Sequence, residues 1–190
     1  MPRTLALILT GTLLAAALPG TAAAQDARGL WIEFGLAPGW ARLACDICDA
    51  GRAMGVAGHL GLGGQIGRRV RLGAELDGWT SSADGVPERI ISGSVVAHWR
   101  PTPGGPLRLQ GGLAYVTYRV DDNVDVVSAS GIGPLLGAAL DWPVSDRVRI
   151  GPYATLVIGT IAGQVSFNGA EVQDAANLNL LHLGVTATWR

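Results

Sequence analysis

The 190-residue sequence contains no lysine, so arginine supplies all 14 of its Lys and Arg cations. With 15 acidic residues against them, the formal net charge is −1, and nothing in that balance points to a nucleic-acid partner. Aromatic residues are also scarce, at 6%, although six of them are tryptophan. After Leu18 no apolar run approaches the roughly 20 residues that a membrane-spanning helix needs. The two cysteines, Cys45 and Cys48, are too few for a disulfide-dense scaffold and lack a second pair or nearby histidine for tetrahedral zinc. Catalytic signatures are missing as well: there is no G-x-S-x-G, H-E-x-x-H or phosphate loop. No cofactor, resident metal or catalytic residue is therefore expected.

What is present starts with an export signal. Met1-Pro2-Arg3 is a short basic segment, Thr4 to Leu18 is apolar and uncharged, and Ala22-Ala23-Ala24 supplies small residues for cleavage after Ala24. Residues 1–24 read as a signal peptide, and the remaining 25–190, about 166 residues, as one domain. An uncleaved anchor is the competing reading, but the apolar stretch is short and the cleavage box follows it directly. In an exported chain, Cys45-Asp-Ile-Cys48 is expected to form a small disulfide.

Along the rest of the chain, apolar and polar residues alternate with period two in segments of about ten to thirteen residues. Strands are expected near 29–40, 54–66, 70–80, 89–100, 107–119, 130–142, 147–161 and 177–189. Tight connections (67–69, 101–106, 143–146) alternate with longer polar ones (41–53, 81–88, 120–129, 162–176). That rhythm fits an all-β, eight-stranded antiparallel up-and-down transmembrane barrel with short periplasmic turns and longer outer loops. Pro134 and Pro152 fall inside expected strands, where a bulge or strand end is required.

The placement of tryptophan argues that the apolar face meets lipid. Trp99, Trp142 and Trp189 share that face near the ends of three strands running in one direction, and Trp40 lies at the far end of the first. Such positions make an interfacial aromatic girdle. The opposite faces collect charge: Glu33, His59, Arg71, Glu75, Asp77, His98, Arg100, Arg108, Arg149 and His182 all turn inward, as do Trp31 and Trp79. Enclosed charges must pair. Glu33, on the first strand, is expected to lie between His59 and His182. A divalent metal held by these three and a polar plug are alternative readings of that arrangement, and the plug is preferred.

The segment His182-Leu-Gly184-Val-Thr-Ala-Thr-Trp189 resembles the C-terminal assembly signal of bacterial outer-membrane proteins, with Gly184 and Trp189 at its marked positions. It differs in that Arg190 follows the aromatic. In length, strand count and loop rhythm the chain resembles the small outer-membrane barrels of the OmpA/OmpX type. The resemblance implies an outer-membrane location, lipid and the barrel-assembly machinery as partners, and a monomer that displays loops to a surface ligand. The function expected is structural or loop-displaying, non-enzymatic, around a side-chain-filled polar lumen. Alternatives are a lipid-modifying enzyme, a soluble lipocalin-like binder, or a small pore. Lipid A deacylases of similar size need a serine beside a last-strand histidine, whereas Leu183, Gly184 and Val185 follow His182. An eight-strand interior is about filled by side chains, which disfavours the pore.

Overall fold

The computed structural model describes residues 29–44, 51–83, 86–122, 124–158, 164–173 and 177–190. The expected signal peptide and the Cys45–Cys48 pair lie outside these residues. The described chain is all-β: β1 (Leu30–Ala44), β2 (Ala53–Ile66), β3 (Val70–Ala83), β4 (Val86–Trp99), β5 (Leu107–Asp121), β6 (Val126–Leu140), β7 (Trp142–Pro143), β8 (Val148–Val157), β9 (Gln164–Phe167), β10 (Ala170–Gln173) and β11 (Asn177–Trp189). Each stave pairs antiparallel with its sequence neighbour; β1 pairs with β11, and β6 with β8, which closes the sheet on itself. Eight long staves result, with β7 continuing the β6 stave and the β9–β10 hairpin extending the wall above β8. Closure matters physically, because it leaves no row of unpaired backbone groups to face hydrocarbon.

Prolines mark where this ladder is interrupted. β6 pairs with β8 as far as Ala139↔Tyr153, and pairing resumes in the same register at Trp142↔Ile150, leaving Pro152 in the gap. Pro134 sits where β6 passes from β8 to β9 as its neighbour. Pro38 does the same between β1 and β11, whose pairing skips from Leu36↔Val185 to Gly39↔His182. Each ring removes an N–H where one side of the stave has no partner, so none forces a bulge.

Two of the four connections read as long are short. β3 and β4 run to within two residues of each other, and β5 and β6 are joined by 122–125. Asp122 closes this second turn, its Oδ1 accepting from the amides of Val124 and Asp125 at 3.0 and 2.6 Å. These bonds hold its carboxyl below the usual carboxylate range. Polar segments such as Thr80-Ser81-Ser82 look like loop in sequence because these hairpins project beyond the apolar band, where neither face needs to be hydrophobic. The connection 162–176 contains the β9–β10 hairpin, turned by Asn168 (φ 49°) and Gly169 (φ 82°), the pair of positive φ values that a tight two-residue hairpin demands.

Candidate functional site: the interior and ends of the barrel

Alternation along the staves sorts residues into an outside and a lumen. On β1, Leu30, Ile32, Phe34 and Leu36 are exposed, while Trp31, Glu33, Gly35 and Ala37 are buried. The same apolar exterior continues through Leu60, Leu62, Leu76, Val95, Leu113, Ile132, Leu183 and Val185. A soluble protein rarely exposes so large a contiguous apolar surface. Trp99, Trp142 and Trp189 are exposed at the tight-turn end, and Trp40 lies on the outward face of β1 towards the opposite end.

Inside, the lower half, towards the tight turns, is ionic. Glu33 is 2% exposed and accepts from Thr188 Oγ1 at 2.7 Å and from Arg108 Nη2 at 2.9 Å, with His59 Nε2 at 3.1 Å. Arg108, on β5 across the lumen, also donates through Nε to Asp141 Oδ2 at 3.0 Å; Arg100 Nη2 donates to the same oxygen. Glu75 has His98 Nε2 at 3.0 Å and accepts from Gln110 at 2.6 Å, and Asp77 accepts from Ser92 at 3.3 Å. Arg149 donates to the Gly104 carbonyl at 2.9 Å. Buried charge is costly unless paired and hydrogen-bonded, and these bonds offset that cost across all eight staves and the turn below them.

The upper half of the lumen is different, being filled by apolar side chains. Ala37, Ala41, Ala57, Trp79, Ile90, Val116, Leu135, Val157, Leu178 and Leu180 pack there as a buried apolar cluster. The large rings fit because the positions facing them have no side chain. A Cβ on Gly73 would lie 2.5 Å from Trp31, and one on Gly39 would lie 2.7 Å from Trp79. Trp79 spans two staves to donate to the Gly39 carbonyl at 3.0 Å. His59 in turn rests over Gly35, where a Cβ would meet the imidazole at 2.2 Å.

Of the residues expected to meet, Glu33 and His59 do; His182 does not. Thr188 is the residue opposite Glu33 on β11, and His182 lies opposite Gly39, six residues further along β1. His182 Nδ1 is instead 3.9 Å from Asp77. The three-ligand site drawn from sequence is thereby dismantled by stagger. No group of three or more metal-capable side chains occurs among the described residues. Asp141, fully buried and shared by two arginines, was not among the expected lumen residues, although it sits one residue before outward-facing Trp142 and must point inward by alternation. Gly184 touches the first stave: a Cβ there would lie 2.1 Å from the Leu36 carbonyl, so its size is fixed by the seam between β1 and β11.

No protein-family model matches the sequence. No curated protein matches it either. Solved structures do. Neisserial surface protein A is similar over 84% of this chain and 96% of its own, with a TM-score of 0.60 and 13% identity. Ail, the attachment invasion locus protein of Yersinia pestis, is similar over 86% of this chain and 99% of its own, with a TM-score of 0.53 and 12% identity. At such identities the likeness concerns the fold, and that fold is the small eight-stranded barrel of bacterial outer-membrane proteins.

Proposed function

We propose that this chain is an integral outer-membrane protein whose barrel is a closed scaffold rather than a conduit, acting through the segments it holds at its two ends. The observation that carries this reading is the lumen cross-section at Glu33, Arg108 and Asp141. Side chains from β1, β5 and the end of the β6 stave meet in mid-lumen with exposures of 0–2%. Above that layer the apolar cluster adds a second seal. An ion crossing would have to break a buried network and then pass a dry layer, each with a penalty of several kcal/mol. The exposed apolar exterior and the outward tryptophans support lipid as the surrounding solvent.

In this reading the tight-turn end faces the periplasm, and the β3–β4, β5–β6 and β9–β10 hairpins project outward as a monomer's display surface for a ligand. The export signal at 1–24 and the terminal segment with Gly184 and Trp189 would deliver the chain to the assembly machinery. In this reading the role is non-enzymatic, the lumen acids and bases being engaged with one another as structural partners. The test is fractionation of expressing cells, an unheated gel, and planar-bilayer recording of the purified barrel. Outer-membrane recovery, a heat-dependent mobility shift and no discrete conductance are expected. Recovery in the soluble periplasm would overturn the membrane reading, and stepwise conductance would overturn the closed scaffold.

A further inference from the structure

The tight-turn end carries a recess that the lumen network does not account for. It has a volume of about 350 Å³ and is lined by Gln65, Arg68, Arg69, Arg71, Arg100 and Arg190, with His98 at its floor. Five guanidinium groups therefore converge on one cavity whose lining includes no carboxylate side chain. The nearest deeper acid, Asp141, is already shared between Arg100 and Arg108.

The second observation is Arg71 itself. It is 4% exposed, yet its Nη1 has no hydrogen-bond partner among the described residues, and Arg100 Nε is also unpartnered. A guanidinium withdrawn from water and left unsatisfied loses solvation without return, so a protein keeps one where an external acceptor completes it. Other arginines nearby do have protein acceptors: Arg100 Nη1 donates to the Gly105 carbonyl at 2.9 Å, and Arg149 to Gly104. Arg71 stands apart as the buried fork aimed at the recess. Burial and the positive field of Arg100 and Arg149 push the guanidinium of Arg190, beyond the last strand, down to about 10. The turn supplies the rest, since Gly67 at φ 84° reverses the chain and leaves Arg68 and Arg69 exposed at the rim.

We propose that this recess is an oxyanion site for a phosphate group, with Arg71 as its buried anchor, Arg100 beside it, and Arg68, Arg69 and Arg190 closing over the charge. Planar guanidinium forks match phosphate oxygens two at a time, which a lysine point charge does not, and this chain has no lysine at all. The phosphate has two possible sources, a lipid headgroup of the adjoining leaflet or a free phosphate. The site needs only the barrel, while the lipid source rests on the membrane reading above.

The test uses the full mature barrel refolded in a phosphate-free maltoside detergent. Pyrophosphate and a short-chain phosphatidic acid are titrated separately by calorimetry, with chloride held constant. Saturable binding of at least one probe near one per barrel is expected, weakened at least tenfold by Arg71→Gln. Because Arg71 has no internal partner to lose, Arg71→Gln should leave the unfolding midpoint unchanged or raised. If that variant fails to fold, the rim variant Arg68→Gln/Arg69→Gln replaces it, with an expected several-fold loss. Pyrophosphate binding assigns a free anion, and binding of phosphatidic acid alone assigns a headgroup; either supports the site. No saturable binding of either probe, or equal binding by wild type and variants, overturns it. A barrel that stays soluble without detergent yet binds pyrophosphate would sink the membrane reading and leave this site standing.

Discussion

Replacing Glu33 by glutamine removes one negative charge from the lumen and almost no volume. The carboxylate is 2% exposed and serves three partners: Arg108 at 2.9 Å, Thr188 at 2.7 Å and His59 at 3.1 Å. Removing one partner of a buried ion pair costs about 3–5 kcal/mol, because the remaining charge is left uncompensated. Arg108 keeps Asp141, and the amide keeps one acceptor oxygen, which places the expected cost near the lower end, about 3 kcal/mol. For a urea slope of roughly 2 kcal/mol per molar, the unfolding midpoint should fall by about 1.5 M. Reversible unfolding from lipid vesicles, followed by tryptophan fluorescence, reads this directly. The double variant Glu33→Met/Arg108→Met is the control: with both charges gone it should cost far less than the sum of the singles, and Asp141 retains Arg100. An unchanged midpoint for Glu33→Gln, or additive single and double variants, would refute the claim that this pair holds the lumen together.

Three further outcomes follow from the same geometry. Leu183→Arg or Leu76→Arg puts a charge on the exposed apolar face and should cost about 2–4 kcal/mol near the bilayer midplane, whereas Thr186→Ser, which keeps its hydroxyl donor to the Phe34 carbonyl, should cost little; equal stabilities in vesicle refolding would reverse the facing. Gly73→Val should prevent or greatly slow refolding, since even a Cβ there meets Trp31 at 2.5 Å and the Leu62 carbonyl at 2.3 Å; Gly78→Ala, on the same stave with open space around it, should refold normally on an unheated gel. Gly169→Val should loosen the β9–β10 hairpin by forcing a branched residue to φ 82°, seen as faster limited proteolysis within 164–173 while the barrel's gel shift persists.

Much of the architecture is written in the alternation. Leu30 to Leu36 on β1 and Leu181 to Trp189 on β11 declare their faces because a strand turns successive side chains to opposite sides, and a closed wall makes those sides outside and lumen. The turns at Gly67 and Gly104 are equally legible, since only glycine accepts those φ values cheaply. Two signals were present and unread. Phe167-Asn168-Gly169-Ala170 carries the strongest short-range hairpin pattern, yet its polar surroundings look like an open loop. Lumen glycines such as Gly35, Gly39 and Gly73 carry no side chain for alternation to register, and their bareness is what seats His59, Trp79 and Trp31.

The sequence by itself determined which face each residue takes, where the chain reverses, and that charge must collect inside. Tertiary structure alone decided which enclosed charges meet. Parity gives a residue its side of the wall but not its height, and height in a barrel is set by strand tilt and by the stagger accumulated before the last stave meets the first. That stagger puts Thr188 and not His182 opposite Glu33, and carries Arg108 across the lumen from 75 residues away to reach it. It also brings the turn arginines Arg68 and Arg69 together with Arg71, Arg100 and Arg190, because separate short connections close the same end of one narrow cylinder.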